Sequence, residues 1–293
     1  MDFFPQPVNP TFSCQKMTVF AEGLDHPEGL AFDEEGVLWA GGEAGQIYRL
    51  PAGKLEQVAS VGGFCLGLTF SPSQELFVCN VGLHALQRID KRGRVLQTIE
   101  RVDGQPLQTP NFSVFDAHGD LYFSDSGEWS KSNGRVYRLR ASGLVEFFAG
   151  PFAFANGLAL SATGDALFVV ESQRDRVTRL EIRRDGTAGE ATVYASGLAR
   201  IPDGAVFDSA QNLYVTCYAT DCIYRVGTDG KVELFAYDPE GTILARPTNA
   251  AFGGPERKDL YVANLGRWHI TRLTTGNAGQ LLAGESIAKV RLS

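Results

Sequence analysis

The chain has 293 residues, a formal net charge of −7, 44% hydrophobic and 21% charged residues, and no biased tract. The acidic surplus without a basic patch argues against a nucleic-acid partner. No run approaches the ~18 apolar residues that span a bilayer, so no membrane partner is expected either. Thirty-three glycines against two methionines suit many turns better than long helices.

The opening MDFFPQPVNPTF has neither a basic segment nor a continuous apolar one, so it does not read as a secretory leader. The five cysteines (Cys14, Cys65, Cys79, Cys217 and Cys222) are odd in number and never at CxxC spacing. They read as buried small apolar residues rather than a zinc site or disulfide framework. Together these features predict a cytoplasmic protein.

Residues 17–23 (MTVFAEG) read as a lone strand ahead of the first of six similar units. The template is HPEGLAFDEEGVLWAGGEAGQIYRL (26–50): a polar residue, an apolar strand, a turn, a second strand, a loop, and a third strand ending in Arg-aliphatic. It returns from Cys65, Pro110, Ala155, Pro202 and Pro247. Each unit alternates apolar and polar residues over four to six positions, as in Leu121-Tyr122-Phe123-Ser124, which is strand periodicity. Asp/Ser/Gly turns such as 116–119 join the first two strands as hairpins. Fourth strands are expected at 55–60, 144–149, 191–195 and 232–236.

Two registers test the alignment. The residue opening each first strand is Glu28, Leu66, Asn111, Asn156, Asp203 and Thr248, at steps of 38, 45, 45, 47 and 45. Each third strand carries an arginine: Arg49, Arg88, Arg138, Arg179, Arg225 and Arg272. Four strands per unit at a period near 45 predict an all-β fold, one six-bladed β-propeller over 1–293 with four antiparallel strands per blade. The N-terminal strand is expected to pair with the last blade and close the ring, with the tail from Gly279 as its competitor.

The arginine register, present in every blade, reads as scaffold. The first-strand register differs between blades and reads as a site, because propeller first strands line the central channel. Glu28, Asn111, Asn156 and Asp203 place two carboxylates and two amides there, with no His or Cys. Singly, such residues cap strand ends. Four at one register suit one hard divalent cation, Ca2+ before Zn2+, Mn2+ or Mg2+. A cation with open positions polarises a carbonyl or phosphoryl oxygen, and Asp203 beside it is the candidate base or nucleophile.

The loops joining second to third strands are expected on the same face. They supply His84, Trp129, Arg174, Tyr218 and Trp268 as candidate substrate-binding residues, and His269 as a candidate aid to proton transfer. The two tryptophans suggest an apolar or aromatic substrate. The longest such loop, 126–134 (SGEWSKSNG), is the candidate lid.

The phrases His26-Pro27-Glu28-Gly29, Pro110-Asn111, Asn156-Gly157-Leu158-Ala159-Leu160-Ser161, Pro202-Asp203-Gly204 and Arg246-Pro247-Thr248-Asn249 resemble those of the regucalcin/gluconolactonase (senescence marker protein) family. The resemblance spans all six blades. It implies one divalent ion on the axis held by Glu28, Asn156 and Asp203. The related diisopropyl fluorophosphatase and paraoxonase propellers use an asparagine at the place of Asn111. The chain departs from the family where Pro-Asn-Asp is common, reading Pro110-Asn111-Phe112, and where an Arg-x-Asn sugar clamp is usual, reading Gln108-Thr109-Pro110-Asn111.

The expected function is therefore a metal-dependent lactonase or carboxylic ester hydrolase acting on a small molecule, as a monomer or homodimer. The alternatives are a phosphotriesterase and a non-catalytic, metal-stabilised ligand-binding propeller. A strictosidine synthase-like enzyme shares the architecture, but is expected to lack the four ligands.

Overall fold

The computed structural model describes residues 9–283; the two ends of the expected 1–293 domain lie outside the described residues. Six four-stranded antiparallel sheets follow one another along the chain as the blades of a β-propeller. The first strands are Leu30–Phe32, Cys65–Phe70, Pro110–Phe115, Ala155–Leu160, Pro202–Phe207 and Pro247–Gly253. The sixth sheet borrows its outermost strand, Thr18–Glu22, from the N-terminal end, where it pairs antiparallel with His269–Thr274. That strand closes the ring, as its sequence predicts, and leaves the last blade no shorter than the others.

The tail takes a different path. Ser209 N–H donates to the Ala278 carbonyl at 2.7 Å, Gln280 N–H to that of Phe207 at 3.0 Å, and the Gln280 side chain to that of Leu160 at 3.0 Å. Residues 278–280 thus cross the ends of two first strands, and Gln280 and Leu282 border an apolar cavity along the axis. The tail caps the floor of the channel instead of competing for the rim. The fourth strands match expectation with three corrections, the first being that of blade 3, which runs on to Phe152 as Val145–Phe152. Blade 2 has one, Val95–Ile99, which the sequence reading omitted, and that of blade 4 runs longer, Ala188–Ser196.

Packing repeats as the sequence does. Six hydrophobic clusters occupy the six gaps between neighbouring blades, for example Phe168 and Val170 of blade 4 against Phe207 and Val215 of blade 5. Each fully buried aromatic or branched side chain contributes about 1.5–3 kcal/mol. The six third-strand arginines all stand opposite an aromatic residue of the second strand: Trp39, Phe77, Tyr122, Phe168, Tyr214 and Tyr261. Five of them reach a carboxylate, the shortest pair being Arg138 and Glu146 at 2.6 Å. Asp116 shows the turn chemistry, its Oδ1 accepting the N–H groups of His118 at 2.8 Å and Asp120 at 3.0 Å.

Among the described residues no helix is long and apolar enough to cross a membrane. All five cysteines are free, and four are buried. Burial pushes the Cys65 and Cys79 thiols up to about 12, which makes them poor nucleophiles.

Candidate metal centre

Backbone contacts between successive first strands fix the ring. The residue after four of the six axial positions is glycine, and each presses on the next blade. A Cβ on Gly29 would lie 1.9 Å from the Leu66 carbonyl oxygen, on Gly67 2.5 Å from that of Asn111, on Gly157 2.4 Å from that of Asp203, and on Gly204 2.6 Å from that of Thr248. The other two junctions are hydrogen bonds: Ser124 Oγ to the Asn156 carbonyl at 2.8 Å, and Thr248 Oγ1 to the Glu28 carbonyl at 3.2 Å. The six axial residues therefore follow one another around the axis in chain order. Asn111, Asn156 and Asp203 are buried, and Glu28 is partly exposed.

The two amides are held in one orientation. Ser126 Oγ donates to the Ala155 carbonyl at 2.6 Å, so it must accept from Asn111 Nδ2, 3.1 Å away. Ser172 Oγ likewise donates to the Pro202 carbonyl at 2.6 Å and accepts from Asn156 Nδ2 at 3.2 Å. Each hydroxyl thus fixes which end of the amide is nitrogen, and the Asn156 amide also hydrogen-bonds the Asp203 carboxylate. Asn156 Oδ1 is fully buried and without a hydrogen-bond partner. An orphaned acceptor of this kind costs about 1–3 kcal/mol unless something positive meets it.

The two carboxylates have the same need. Desolvation pushes the Asp203 carboxyl up to about 8, with the Asn156 amide offsetting part of the rise. Desolvation and the nearby Asp203 charge hold Glu28 well above the usual carboxylate range. Two acids that resist ionising side by side, next to an unpartnered amide oxygen, fit a divalent cation in charge and in donor chemistry. The all-oxygen set, without His or Cys, suits a hard ion.

Around this centre lie the loops between second and third strands. His84 Nδ1 donates to the Gln108 carbonyl at 2.5 Å. Trp129 packs edge-on against Phe154, ring centroids 4.7 Å apart. Arg174 lies 3.7 Å from Glu171. Tyr218 Oη accepts from Arg246 at 3.0 Å. Trp268 leans on His26 at 4.2 Å. All but Arg174 thus touch a residue that introduces the next blade's first strand. In the expected lid, 126–134, Lys131 and Glu128 pair at 2.6 Å, and Asn133 accepts the Glu128 N–H at 2.9 Å, so the loop carries its own bracing.

His269 stands apart from the four axial residues. It opens the third strand of blade 6, is buried, and its Nε2 meets the Ile243 carbonyl oxygen at 2.9 Å. That carbonyl also accepts from Thr271, which makes His269 part of a packed network. Asp125, the last residue of the second strand of blade 3, is a backbone clamp that accepts from Gln108, Thr109 and Gly127 N–H.

Two features were not read from the sequence. Ser126 and Ser172 follow the acids Asp125 and Glu171 at one register of blades 3 and 4, the same blades that carry the axial asparagines; that coincidence was the available signal. Asp25, His26 and Glu43 also converge beside the first blade, with His26 Nδ1 2.8 Å from Asp25 Oδ1 and 2.7 Å from Glu43 Oε2. The imidazole occupies the point where the two carboxylates meet, so this trio is an ion-pair cluster centred on His26.

The chain is 24% identical over 209 residues to the gluconolactonase of Zymomonas mobilis, covering 64% of this chain and 57% of that one. It is 23% identical over 241 residues to the pentonolactonase XacC of Haloferax volcanii, covering 80% and 79%. Across the first curated relatives the matched stretch spans from 36% to 79% of the relative's length. The fold superimposes on a calcium-binding protein, regucalcin, from Agrobacterium tumefaciens with a TM-score of 0.76 at 20% identity, covering 93% of this chain and 97% of that one. Residues 26–265, from the turn before Glu28 to the last blade, match the SMP-30/Gluconolactonase/LRE-like region as a whole. With six blades, four axial oxygen donors and that match, the chain belongs to the SMP-30/gluconolactonase/LRE-like family.

Proposed function

We propose that the protein is a metal-dependent hydrolase that opens a small-molecule lactone. The observation that carries this reading is the buried, unpartnered Asn156 Oδ1 beside two carboxylates that repel each other. Glu28, Asn111, Asn156 and Asp203 would hold the cation, Ca2+ on donor chemistry. When bound, it supplies a Lewis acid that polarises the acyl oxygen and stabilises the oxyanion. The lactonase names of the relatives support the substrate class.

The chain's own residues do the rest. Ser126 and Ser172 fix the orientation of the two amides. Asp203 takes a proton from the attacking water as its oxygen bonds to the acyl carbon. The ring C–O bond then breaks, and the departing oxygen takes that proton back from Asp203, giving the open hydroxy acid. The recessed position of Asp203 limits bulk water around the base.

The test is a screen of lactones, aryl esters and phosphotriesters with metal-loaded, chelated and reloaded protein. Lactone turnover is expected to vanish on chelation and return with Ca2+. Asp203→Asn with metal still bound should lose about 10²–10⁴-fold in kcat. Hydrolysis that survives complete metal removal would falsify the reading. Turnover of phosphotriesters alone would move the site to that substrate class.

A further inference from the structure

Eight side chains around the mouth are kept in a backbone conformation that disfavours them. His26 (φ 41°), Phe154 (61°), Ile201 (59°) and Arg246 (54°) each stand two positions before an axial residue, namely Glu28, Asn156, Asp203 and Thr248. Trp268 (φ 57°) stands immediately before the third strand of blade 6. Glycine enters this left-handed region freely, whereas a bulky or β-branched residue there costs on the order of 1–3 kcal/mol. Blade 1 provides the comparison: immediately before its third strand stands Gly45, at φ 81°. Blades 2, 4 and 5 carry His84 (φ 51°), Asp175 (46°) and Asp221 (48°) at that place, so the left-handed turn belongs to the scaffold, and Trp268 is the bulkiest side chain set on it.

Trp268 is therefore disfavoured by its backbone, and by its surroundings as well, since it is 48% exposed. Trp129, 46% exposed, and Leu83, 42% exposed, occupy second-to-third-strand loops on the same face. The third tryptophan, Trp39, is in the core. Neither exposed indole is needed for packing, and each rests on one of the left-handed residues, Trp268 on His26 and Trp129 on Phe154. In blade order these two aromatic pairs lie at the 6/1 and 3/4 junctions, half a turn apart. His26 makes a rigid base for Trp268, because Asp25 and Glu43 both hold its Nδ1.

The polar members of this collar are already engaged. His26 Nδ1 is held as described, and Arg246 donates to Tyr218 Oη and lies over its ring. What the collar offers a substrate is apolar and aromatic surface above a polar centre, not the many donors and acceptors that a polyhydroxylated ring requires.

We infer that Trp268, braced by His26, is the platform for an aromatic ring carried by the substrate, with Trp129 and Phe154 as a second apolar wall. The preferred substrate is then an aryl lactone. This assignment rests on the hydrolase reading above.

The experiment compares dihydrocoumarin, an aryl-fused δ-lactone, with δ-valerolactone, its counterpart without the aryl ring, in the metal-loaded wild type and in Trp268→Gly. Calorimetric binding of 3-(2-hydroxyphenyl)propionate, the ring-opened aryl product, is measured in parallel. The wild type should favour dihydrocoumarin in kcat/KM by tenfold or more. Trp268→Gly should cut that ratio about tenfold, mainly through KM, and weaken product binding to the same degree. Its Tm should equal or exceed that of the wild type, because glycine relieves the left-handed strain; a residue kept only for packing would lower Tm instead. A wild type that prefers δ-valerolactone, or a ratio untouched in Trp268→Gly, overturns the assignment while leaving the hydrolase reading intact. If neither lactone turns over, the hydrolase reading fails and the binding arm decides: product binding lost in Trp268→Gly upholds the platform, and no binding to the wild type overturns it.

Discussion

Asn156 shows how one residue is prepared for a cation. Its amide nitrogen is tied to Ser172 at 3.2 Å, Ser172 is tied to the Pro202 carbonyl of the next blade at 2.6 Å, and its oxygen is left bare in a buried place. Without the serine hydroxyl, the amide is free to turn either way, and half of its orientations present N–H to the ion. Ser172→Ala should therefore weaken Ca2+ binding by about 10–100-fold, as losing an outer-shell partner commonly does, with the strand pairing retained. Isothermal titration with Ca2+ measures it, and circular dichroism checks the fold. An unchanged affinity would show that the amide is oriented by something else. His269 is the contrasting case: a histidine in a mouth-side loop looks available for chemistry, yet the Ile243 carbonyl takes its Nε2.

At the scale of strands and turns, legibility follows the range of the interaction. The blade pattern, the opening residues of the first strands and the closing strand Thr18–Glu22 could all be read because period-two alternation and turn chemistry are local. The serine latches could not, since each joins a side chain just past one blade's second strand to a carbonyl on the next blade, as Ser126 to Ala155, 29 residues apart. The left-handed turns escaped as well: Ile201 and Trp268 stand where a sequence rule expects glycine, so the strain shows only in the backbone. Glycines of the first strands, by contrast, were visible but unexplained. Their spacing role gives an element-scale prediction: Gly204→Ala places a Cβ 2.6 Å from the Thr248 carbonyl and 2.9 Å from Asn249 Cα, both backbone. The first strands of blades 5 and 6 must then part, at a cost of about 1–3 kcal/mol, and Asp203 moves with them. Both Tm and Ca2+ affinity should fall together. A loss of Tm with full Ca2+ affinity would mean that the axial ring does not depend on this contact.

The whole molecule is a ring of blades whose contacts are mostly between neighbours, and the axial site is where four of them, blades 1, 3, 4 and 5, meet at once. A cation held there as proposed would act as a staple across the ring as well as a reagent, and its effect would depend on pH. The folded chain holds the Asp203 carboxyl up to about 8 against an ordinary 3.8, so without metal it keeps a proton that the unfolded chain releases. Stability of the metal-free protein is then fullest below the ordinary carboxylate range and falls as pH rises towards 8, with Glu28 contributing in the same direction. Ca2+ must displace that proton to bind, so its affinity should climb roughly tenfold per pH unit below 8 and level off above it. At a hundredfold excess over Kd, the ion adds about 2.7 kcal/mol of stability. Differential scanning calorimetry of chelated and Ca2+-loaded protein from pH 5 to pH 9 should therefore show two curves that diverge with pH, the chelated one falling. In Asp203→Asn the gap between the curves should shrink and its pH dependence weaken, leaving only the share that Glu28 contributes, because one of the two residues that exchange a proton for the ion is gone. Parallel curves in the wild type would place the proton elsewhere, and with it the charge that makes this ring of strands a metal centre.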